Sequence, residues 1–487
     1  MSFKSRPKLK PFTACLLLLA AACALVAQTP SARSVVFIPY KDAQPILEAE
    51  SEILPQGLSG KTADALAREW PNWISRQDTE IRTRLAQGDE DSLVNFLVFG
   101  ASFSRQPRIS SSQLAQLNQI TDVRLLESQN SPVVNALKIR ITDLIKAMAA
   151  PGTNERLLFA RQLLVGHKGF SLNMPSGRGQ IERFFLDSVT RVLREHAAYA
   201  KVLESARLLG NPSEEFAERS RLYHTRGLSS DTSLFPNFAI EESLKGIKTR
   251  GLLAPGNVSR VAVIGPGLDF TDKQEGYDFY PQQTIQPFAI MDTLLRLGLA
   301  NAGALRVTTF DLSPRVNDHL ARAKQRAQRG QSYVVQLPRD LHAQWKPEVT
   351  GYWERFGNQV GVSVLPAPVP TGAGELRVRA VRIRPDVVSR VTPFDLNIVA
   401  QRMEAAESET FDLIIATNIF VYYDTFEQSL AMNNVEHMLK PGGILLSNNA
   451  LLELPFSRVH SAGYTTAVYS EREGDGDHIV WYRRATD

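Results

Sequence analysis

The residues with the most chemical content follow a short apolar run, Val261–Ile264, that breaks into a Gly-x-Gly turn formed by Gly265 and Gly267. Glycine lets the backbone turn sharply and leaves no Cβ between the main chain and a ligand. The pattern therefore predicts a buried strand that leads into a nucleotide-binding turn. The alternative is a tight turn between a strand and a helix that binds nothing.

A second strand-like run, Leu305–Asp311, ends in a carboxylate. In an open α/β sheet this position presents Asp311 to ribose hydroxyls as an acceptor with two oxygens. The alternative is that Asp311 caps a helix that begins at Ser313-Pro314. The third glycine of the dinucleotide fingerprint is replaced by Leu268–Phe270, which argues against NAD or FAD.

Two later segments resemble class I S-adenosylmethionine-dependent methyltransferases. The first is Phe411–Asp424, which contains Asn418-Ile-Phe-Val-Tyr-Tyr, and the second is Leu439-Lys-Pro-Gly-Gly-Ile-Leu-Leu446. Within that superfamily they are most similar to the CheR-type (chemotaxis-receptor) methyltransferases, as is Asp311-Leu-Ser-Pro314. The resemblance covers roughly Arg260 to the C-terminus. The basic, receptor-docking domain of that family is not recognisable here, so receptor methylation is not carried over.

The resemblance implies S-adenosylmethionine as the cofactor. It implies that Asp311 holds the ribose, that Asn397 and Ile398 frame the adenine, and that Asn418 and Ile419 lie beside the cofactor. Asn397 also fits a routine strand terminator and Asn418 a turn former. The catalytic residues stay unknown because no general base is indicated, and no histidine has the spacing of a metal ligand.

An acidic and aromatic segment, Asp269–Gln283, follows the glycine turn and is longer than a simple connection requires. We expect this loop to overhang the cofactor site and to contact the substrate, although a solvated loop is the simpler alternative. The candidate substrate contacts are Asp272, Tyr277, Asp278, Tyr280 and, after the third strand, Tyr422. The alternative for Tyr422 is a core aromatic residue, which is the more frequent fate of such side chains.

The predicted fold class is α/β: a Rossmann-like methyltransferase sheet with a C-terminal antiparallel hairpin, preceded by a mainly α-helical domain. The predicted divisions are 1–27 as a signal peptide, 28–252 as a mainly helical domain of unknown role, and 253–487 as the methyltransferase-like domain. Thr465–Ser470 and His478–Tyr482 form the expected hairpin. A turn-rich passage from about residue 340 to 390 predicts a small β addition.

Four basic residues precede an apolar run, Phe12–Ala27, which is the layout of a secretory signal. Cleavage after Ala27 would remove Cys15 and Cys23, the chain's two cysteines. We therefore expect an exported protein in the periplasm or cell envelope of a bacterium. Membrane contact would come only through an uncleaved or lipidated N-terminus.

The net charge of +4 is matched by those four basic residues, so no nucleic-acid partner is expected. The predicted function is methyl transfer to an unknown acceptor, a small molecule or a protein, in the cell envelope. The alternative is an exported, non-catalytic binding or scaffold protein that retains the methyltransferase-like fold. Cofactor binding separates the two.

Overall fold

A computed structural model describes residues 34–110, 113–114, 131–209, 223–224, 226–269, 277–404, 406–448, 450–472 and 475–486. The predicted signal peptide and Asp272 lie outside the described residues. None of the helices in these ranges is both long and apolar enough to cross a membrane.

The first part of the chain is helical. Its elements are α1 (Tyr40–Ala49), α2 (Ala63–Phe99), α3 (Pro132–Ala149), α4 (Glu155–Arg161), a π-helix (Gln162–His167) and α5 (Pro175–Leu209). Thr62, Ser131 and Asn154 cap α2, α3 and α4 by accepting hydrogen bonds from backbone N–H groups of the first turn. Apolar residues between Leu93 and Leu193 form a core of their own between α2, α3 and α5.

The second part is built on a seven-stranded sheet. Its strands are β2 (Arg260–Ile264), β3 (Arg306–Asp311), β7 (Val391–Asp395), β9 (Phe411–Ala416), β10 (Leu439–Ser447), β11 (Val459–Val468) and β12 (Gly476–Arg484). Their order across the sheet is β11-β12-β10-β9-β2-β3-β7. Strands β2, β3, β7, β9 and β10 pair in parallel, whereas β12 is antiparallel to both β10 and β11. The predicted parallel sheet and its C-terminal hairpin are therefore confirmed.

Helices cover both faces of this sheet, which explains why β9 is apolar and buried along most of its length. They are α6 (Phe235–Thr249), α7 (Gln286–Arg296), α8 (Pro314–Gln328), α9 (Pro347–Arg355), α10 (Pro385–Val388) and α11 (Thr425–Met438). One core joins α6, α7 and α9 to the sheet. On the other face, α11 shares a core with α1 and with the first half of α2, including Trp70 and Trp73. Where one domain ends and the next begins stays a prediction.

Two smaller sheets complete the fold. Three antiparallel strands, β4 (Tyr333–Asp340), β6 (Leu376–Ile383) and β5 (Gly361–Val364), form the predicted β addition. The strand β1 (Ser34–Phe37) pairs with β8 (Gln401–Glu404), so the beginning of the described chain is joined to the sheet half.

Candidate functional site

A cavity of about 540 Å³ lies at the carboxyl ends of β2, β3 and β9, the edge at which parallel α/β sheets bind ligands. Seven of the predicted site residues line it: Gly265, Gly267, Asp311, Ile398, Asn418, Ile419 and Tyr422. These residues are far apart in the sequence, and the strand order alone brings them together.

The backbone conformation and contacts within the protein require glycine at both positions of this turn. Gly265 and Gly267 have φ values of +65° and +64°, a conformation that side chains disfavour. A Cβ at Gly265 would lie 2.2 Å from the Cδ1 of Ile419, and one at Gly267 would lie 2.8 Å from the backbone oxygen of Ser230. The contact with Ser230 is therefore a sufficient reason for glycine at position 267, and the close approach of a ligand that the sequence suggested stays a prediction.

Asp311 ends β3 on the wall of the cavity and is only 8% exposed. Its Oδ1 accepts a hydrogen bond from the backbone N–H of Ser313 at 2.8 Å. Burial raises the pKa of Asp311 to about 6, although hydrogen bonds from the N–H groups of Ser313 and Gly267 act in the opposite direction. Ser313, and not Asp311, is the N-cap residue of α8, so this bond is a local turn bond and not the helix cap that the sequence offered as the alternative. A carboxylate has enough lone pairs to accept ligand hydroxyls as well.

Asn418 forms the turn after β9. It is the one residue other than glycine with a positive φ, 59°, in the described ranges, and asparagine tolerates this conformation well. Its N–H donates to the Oδ1 of Asn448 at 2.6 Å. Asn418 is thus a turn former and part of the cavity lining at the same time, so the two interpretations of this residue are compatible.

Asn397 does not line the cavity, although its neighbours Leu396 and Ile398 do. Its side chain is fully buried, with Oδ1 accepting from the N–H of Val399 at 3.1 Å and Nδ2 donating to Asp78 at 2.9 Å. The structure therefore assigns Asn397 to the loop after β7 and its contact with α2, and leaves Ile398 to contact a ligand.

The described part of the loop after the glycine turn, residues 277–283, does not bring its predicted substrate contacts to the cavity. Tyr277, Asp278 and Tyr280 are buried and are absent from the lining. The Asp278 carboxylate accepts hydrogen bonds from the N–H groups of Ala101 and Ser102, at 2.5 and 2.9 Å, and the Tyr280 hydroxyl donates to Asp269 at 2.8 Å. The side chains of Asp278 and Tyr280 have partners inside the protein, and none of the three residues lines the cavity, so the structure gives none of them a contact with a ligand there.

Arg156 of α4 explains why this loop is drawn towards the helices. Its guanidinium is buried and donates to the backbone oxygens of Tyr280 at 2.5 Å and of Asp269 at 2.9 Å. A buried cation that binds carbonyl oxygens fixes the path of the segment that accepts from it. Asp269 and residues 277–280, the described part of the acidic and aromatic pattern, therefore belong to an interior contact.

The opposite wall of the cavity was missed from sequence. It consists of Leu85 and Asn95 of α2 and of a segment before α6, residues 228–236. This segment contains the run Ser229-Ser-Asp-Thr-Ser233, a composition typical of a plain loop. The signal that could have drawn attention to it is Gly88, a glycine inside a long helix, where it normally costs stability.

Gly88 and Gly227 let this segment lie directly on α2. A Cβ at Gly88 would lie 1.8 Å from the backbone oxygen of Leu228, and one at Gly227 would lie 2.2 Å from the nitrogen of Gly88. The N–H of Leu228 donates to the backbone oxygen of Arg84 at 3.1 Å. The cavity wall is therefore anchored by contact between two backbones.

Aromatic rings form a further part of the lining. Tyr223 and Tyr422 meet edge to face with ring centroids 5.5 Å apart, and Tyr423 lies beside them. Burial raises the pKa of both Tyr422 and Tyr423 above the usual value for tyrosine, so their hydroxyls are protonated at neutral pH. They can offer ring faces and hydrogen-bond donors, but they are poor general bases.

The sole group of histidine and carboxylate side chains close enough to hold a metal, within the part of the chain described, is His224, Asp424 and Glu427. Asp424 and Glu427 are the two halves of the capping box of α11: each carboxylate accepts the other residue's backbone N–H. Glu427 also accepts from the Nε2 of Gln77 at 2.6 Å. These bonds account for the cluster as a helix N-terminus, and we assign no ion to it.

The charges on the lining are of one sign. The carboxylates of Asp231 and Asp311 face the cavity, and none of the described lining residues is lysine, arginine or histidine. A lining that contains two carboxylates, and no cationic side chain among its described residues, opposes the binding of a pyrophosphate, which proteins bind through cationic side chains and helix N-termini. The arrangement suits a ligand with hydroxyl groups, an apolar ring system and positive charge.

Neither a known family model nor a curated protein matches the sequence. Solved structures with some similarity include the N-methyltransferase NodS from Bradyrhizobium japonicum, at 14% identity and a TM-score of 0.25, covering 50% of this chain and 97% of that one. A TehB-like SAM-dependent methyltransferase from Corynebacterium glutamicum has 11% identity and a TM-score of 0.22, covering 56% of this chain and 100% of that one. MtNAS in complex with MTA and tNA has 12% identity and a TM-score of 0.24, covering 77% of this chain and 96% of that one. The fold described above rests on the strand order and not on these similarities.

Proposed function

We propose that this protein is an S-adenosylmethionine-dependent methyltransferase. The observation that carries the proposal is the placement of Asp311 beside the Gly265–Gly267 turn, on a cavity without cationic side chains in its described lining. A nucleoside cofactor without phosphates and with a positive sulfonium fits this set of groups better than a dinucleotide does. The motif resemblance of β2, β3 and β9 to class I methyltransferases points the same way.

The lining residues fit the parts of this cofactor. Asp311 can accept hydrogen bonds from the ribose hydroxyls, and the apolar side chains of Leu396 and Ile398 can pack on the adenine. Tyr422 and Tyr423 offer aromatic faces, which attract cations. When bound, the cofactor supplies an electrophilic methyl group on a positively charged sulfur. The protein's part is then to hold an acceptor in line with it, and such positioning supplies most of the catalysis in transfers of this kind.

Calorimetric titration of the purified protein with S-adenosylmethionine and S-adenosylhomocysteine tests the proposal. Asp311→Asn should weaken both affinities by about 1.5–3 kcal/mol, the range for hydrogen bonds to a charged group. Asp395→Asn is the matched control, because Asp395 lies opposite Asp311 in the register of the sheet, is exposed and does not line the cavity. Absence of binding by the folded wild type would instead favour the exported, non-catalytic binding or scaffold protein.

Product analysis then identifies the bond that breaks. Methyl transfer converts S-adenosylmethionine to S-adenosylhomocysteine, whereas transfer of the aminocarboxypropyl group would release methylthioadenosine. We expect S-adenosylhomocysteine. Accumulation of methylthioadenosine in the presence of a cell-envelope extract would contradict methyl transfer while leaving the cofactor assignment intact.

The finer resemblance to CheR-type enzymes rests on Asn418–Tyr423 and Leu439–Gly443, and it does not name the acceptor. The acceptor, a small molecule or a protein, would enter between Tyr422 and the wall formed by α2 and residues 228–236. That wall is formed by residues outside the resemblance, so we do not propose a receptor glutamate as the substrate.

We also propose that the protein is exported, on the basis of the basic residues and the apolar run Phe12–Ala27. The mature chain would then begin at Gln28 and contain no thiol. Intact mass of the protein from a cell-envelope fraction tests this. A full-length species in the cytoplasm would contradict export and would place the protein in the compartment where the cofactor is made.

A further inference from the structure

Asp231 lies on the cavity wall formed by α2 and residues 228–236, in the segment that joins the helices to the sheet half. Its backbone forms a parallel bridge with Leu268, the residue directly after the glycine turn. The N–H of Leu268 donates to the oxygen of Ser230 at 2.7 Å, and the N–H of Thr232 donates to the oxygen of Leu268 at 3.1 Å. Asp231 is thus held at a fixed distance from the turn by bonds on both of its sides.

The side chain of Asp231 is also oriented. The hydroxyl of Ser92, on α2, lies 3.0 and 3.1 Å from its two carboxylate oxygens. The segment, the turn and α2 therefore position this carboxylate before any ligand binds, and such preorganisation lowers the entropic cost of binding. The arginine behind this wall, Arg315, donates to the Ser230 hydroxyl at 2.7 Å and does not line the cavity.

The surroundings of Asp231 inside the cavity favour a cation. Tyr223 and Tyr422 line the same space and present aromatic rings. A carboxylate next to aromatic rings is a common arrangement for binding an ammonium group. The strand and turn that lead into the site, Arg260–Leu268, contain no carboxylate. Asp231 is a second acidic residue fixed to this turn, through its backbone bridge with Leu268, in addition to Asp311.

We propose that Asp231 binds the ammonium group of the methionine part of the cofactor. This inference rests on the proposed function, because it assumes that S-adenosylmethionine occupies the cavity. It extends the binding site beyond the sheet: a residue of the helix-to-sheet connection contacts the cofactor at the end opposite to the ribose and adenine.

Two related ligands separate this role from a structural one. S-Adenosylhomocysteine carries the ammonium group, whereas methylthioadenosine has the same adenosine and sulfur without it. Titration of both into the wild type and into Asp231→Asn should show about a tenfold to hundredfold loss of affinity for S-adenosylhomocysteine, as expected for a lost bond between charged groups. The affinity for methylthioadenosine should stay within about twofold of the wild type, since no such bond is lost.

Asp89→Asn is the matched control, because Asp89 lies on α2 near Arg315, at 3.5 Å, and does not line the cavity. It should leave both affinities unchanged. Thermal unfolding of each variant without ligand checks that the fold is retained, and Asn at 231 keeps the size of the side chain and one acceptor oxygen for Ser92.

Unchanged affinity of Asp231→Asn for S-adenosylhomocysteine would overturn the inference and leave the proposed function standing. Equal losses for both ligands would overturn it too, since they would show that Asp231 acts through the shape of the cavity. Failure of the wild type to bind either ligand would reject the cofactor, and this inference with it.

Discussion

Asp278 binds the backbone of Ser102: its carboxylate accepts the Ser102 N–H at 2.9 Å and the hydroxyl of the same residue. Through this contact the loop after the glycine turn is fastened to the end of α2. The described end of the loop, residues 277–283, is therefore part of the packing between the helices and the sheet, and its replacement by a flexible linker would disturb the fold as well as the site.

Asp278→Asn should lower the free energy of unfolding by about 1.5–3 kcal/mol, because one carboxylate oxygen that accepts buried N–H groups is replaced by a donor. Urea denaturation measures the change. Asp386→Asn is the control, since Asp386 makes only exposed ion pairs on the described surface, which contribute little. Equal stability of Asp278→Asn and wild type would mean that the loop is not held by this carboxylate.

Gly88→Ala should destabilise the protein, although alanine normally stabilises a helix by about 1 kcal/mol relative to glycine. The new Cβ would overlap the backbone oxygen of Leu228, which cannot move without shifting the cavity wall. Gly179→Ala, in α5, is the matched control because nothing lies within 4 Å of the position of its Cβ. We expect a lower melting temperature for the first variant and an equal or higher one for the second. Similar shifts in both would contradict the backbone contact.

Gly265→Ala and Ile419→Ala should be coupled. The Cβ at position 265 would overlap the end of the Ile419 side chain, so truncation of Ile419 removes the clash and leaves only the cost of the positive φ. A double-mutant cycle of unfolding free energies should give a coupling of about 0.5–3 kcal/mol. At Gly267 the clash is with backbone, and the same truncation should bring no relief. Strict additivity for position 265 would argue against a close contact between the glycine and the Ile419 side chain.

Cofactor affinity should depend on the ionisation of Asp311. Burial raises its pKa to about 6, from an ordinary value of 3.8, so Asp311 of the folded protein without ligand is mainly protonated at pH 5 and mainly ionised at pH 7. What Asp311 contributes to the free energy of unfolding is fully present below about pH 4 and is lost as the pH rises through 6. Ribose hydroxyls donate best to the ionised form. The affinity for S-adenosylhomocysteine should therefore rise about tenfold between pH 5 and pH 7. In Asp311→Asn, titrations at several pH values should give an affinity for S-adenosylhomocysteine that does not change with pH. If that affinity still rises with pH as in the wild type, the effect belongs to another group.

Much of the sheet side of the site could be predicted from sequence. Gly265 follows an apolar run of strand length, and Asp311 ends another. Parallel strands place their carboxyl ends at one edge of the sheet, so the local pattern predicts that these two residues lie close together. Asn397 shows the limit of motif matching: it occupies the expected position, yet its amide is turned towards Asp78 of α2. Nothing local in the sequence reports such a partner.

The other wall could not be predicted because it depends on contacts between distant parts of the chain. Asp231 reaches the cavity only because residues 226–233 lie on α2 and pair with Leu268. Tyr277 and Asp278 lie in a segment with the composition of an exposed loop, but partners just after α2 and on α4 make them interior residues. Burial of this kind follows from docking, which local sequence pattern does not encode.

The division of the cavity between Leu85 on α2 and Tyr423 after β9 has a practical consequence for work with fragments. Cutting the chain near residue 252 would leave each piece with one wall of the space. The sheet piece would keep Asp311 and the glycine turn but would expose them to solvent, and a screen for ligands against it would sample a shallow groove. Binding and specificity have to be measured on a chain that contains both α2 and the sheet.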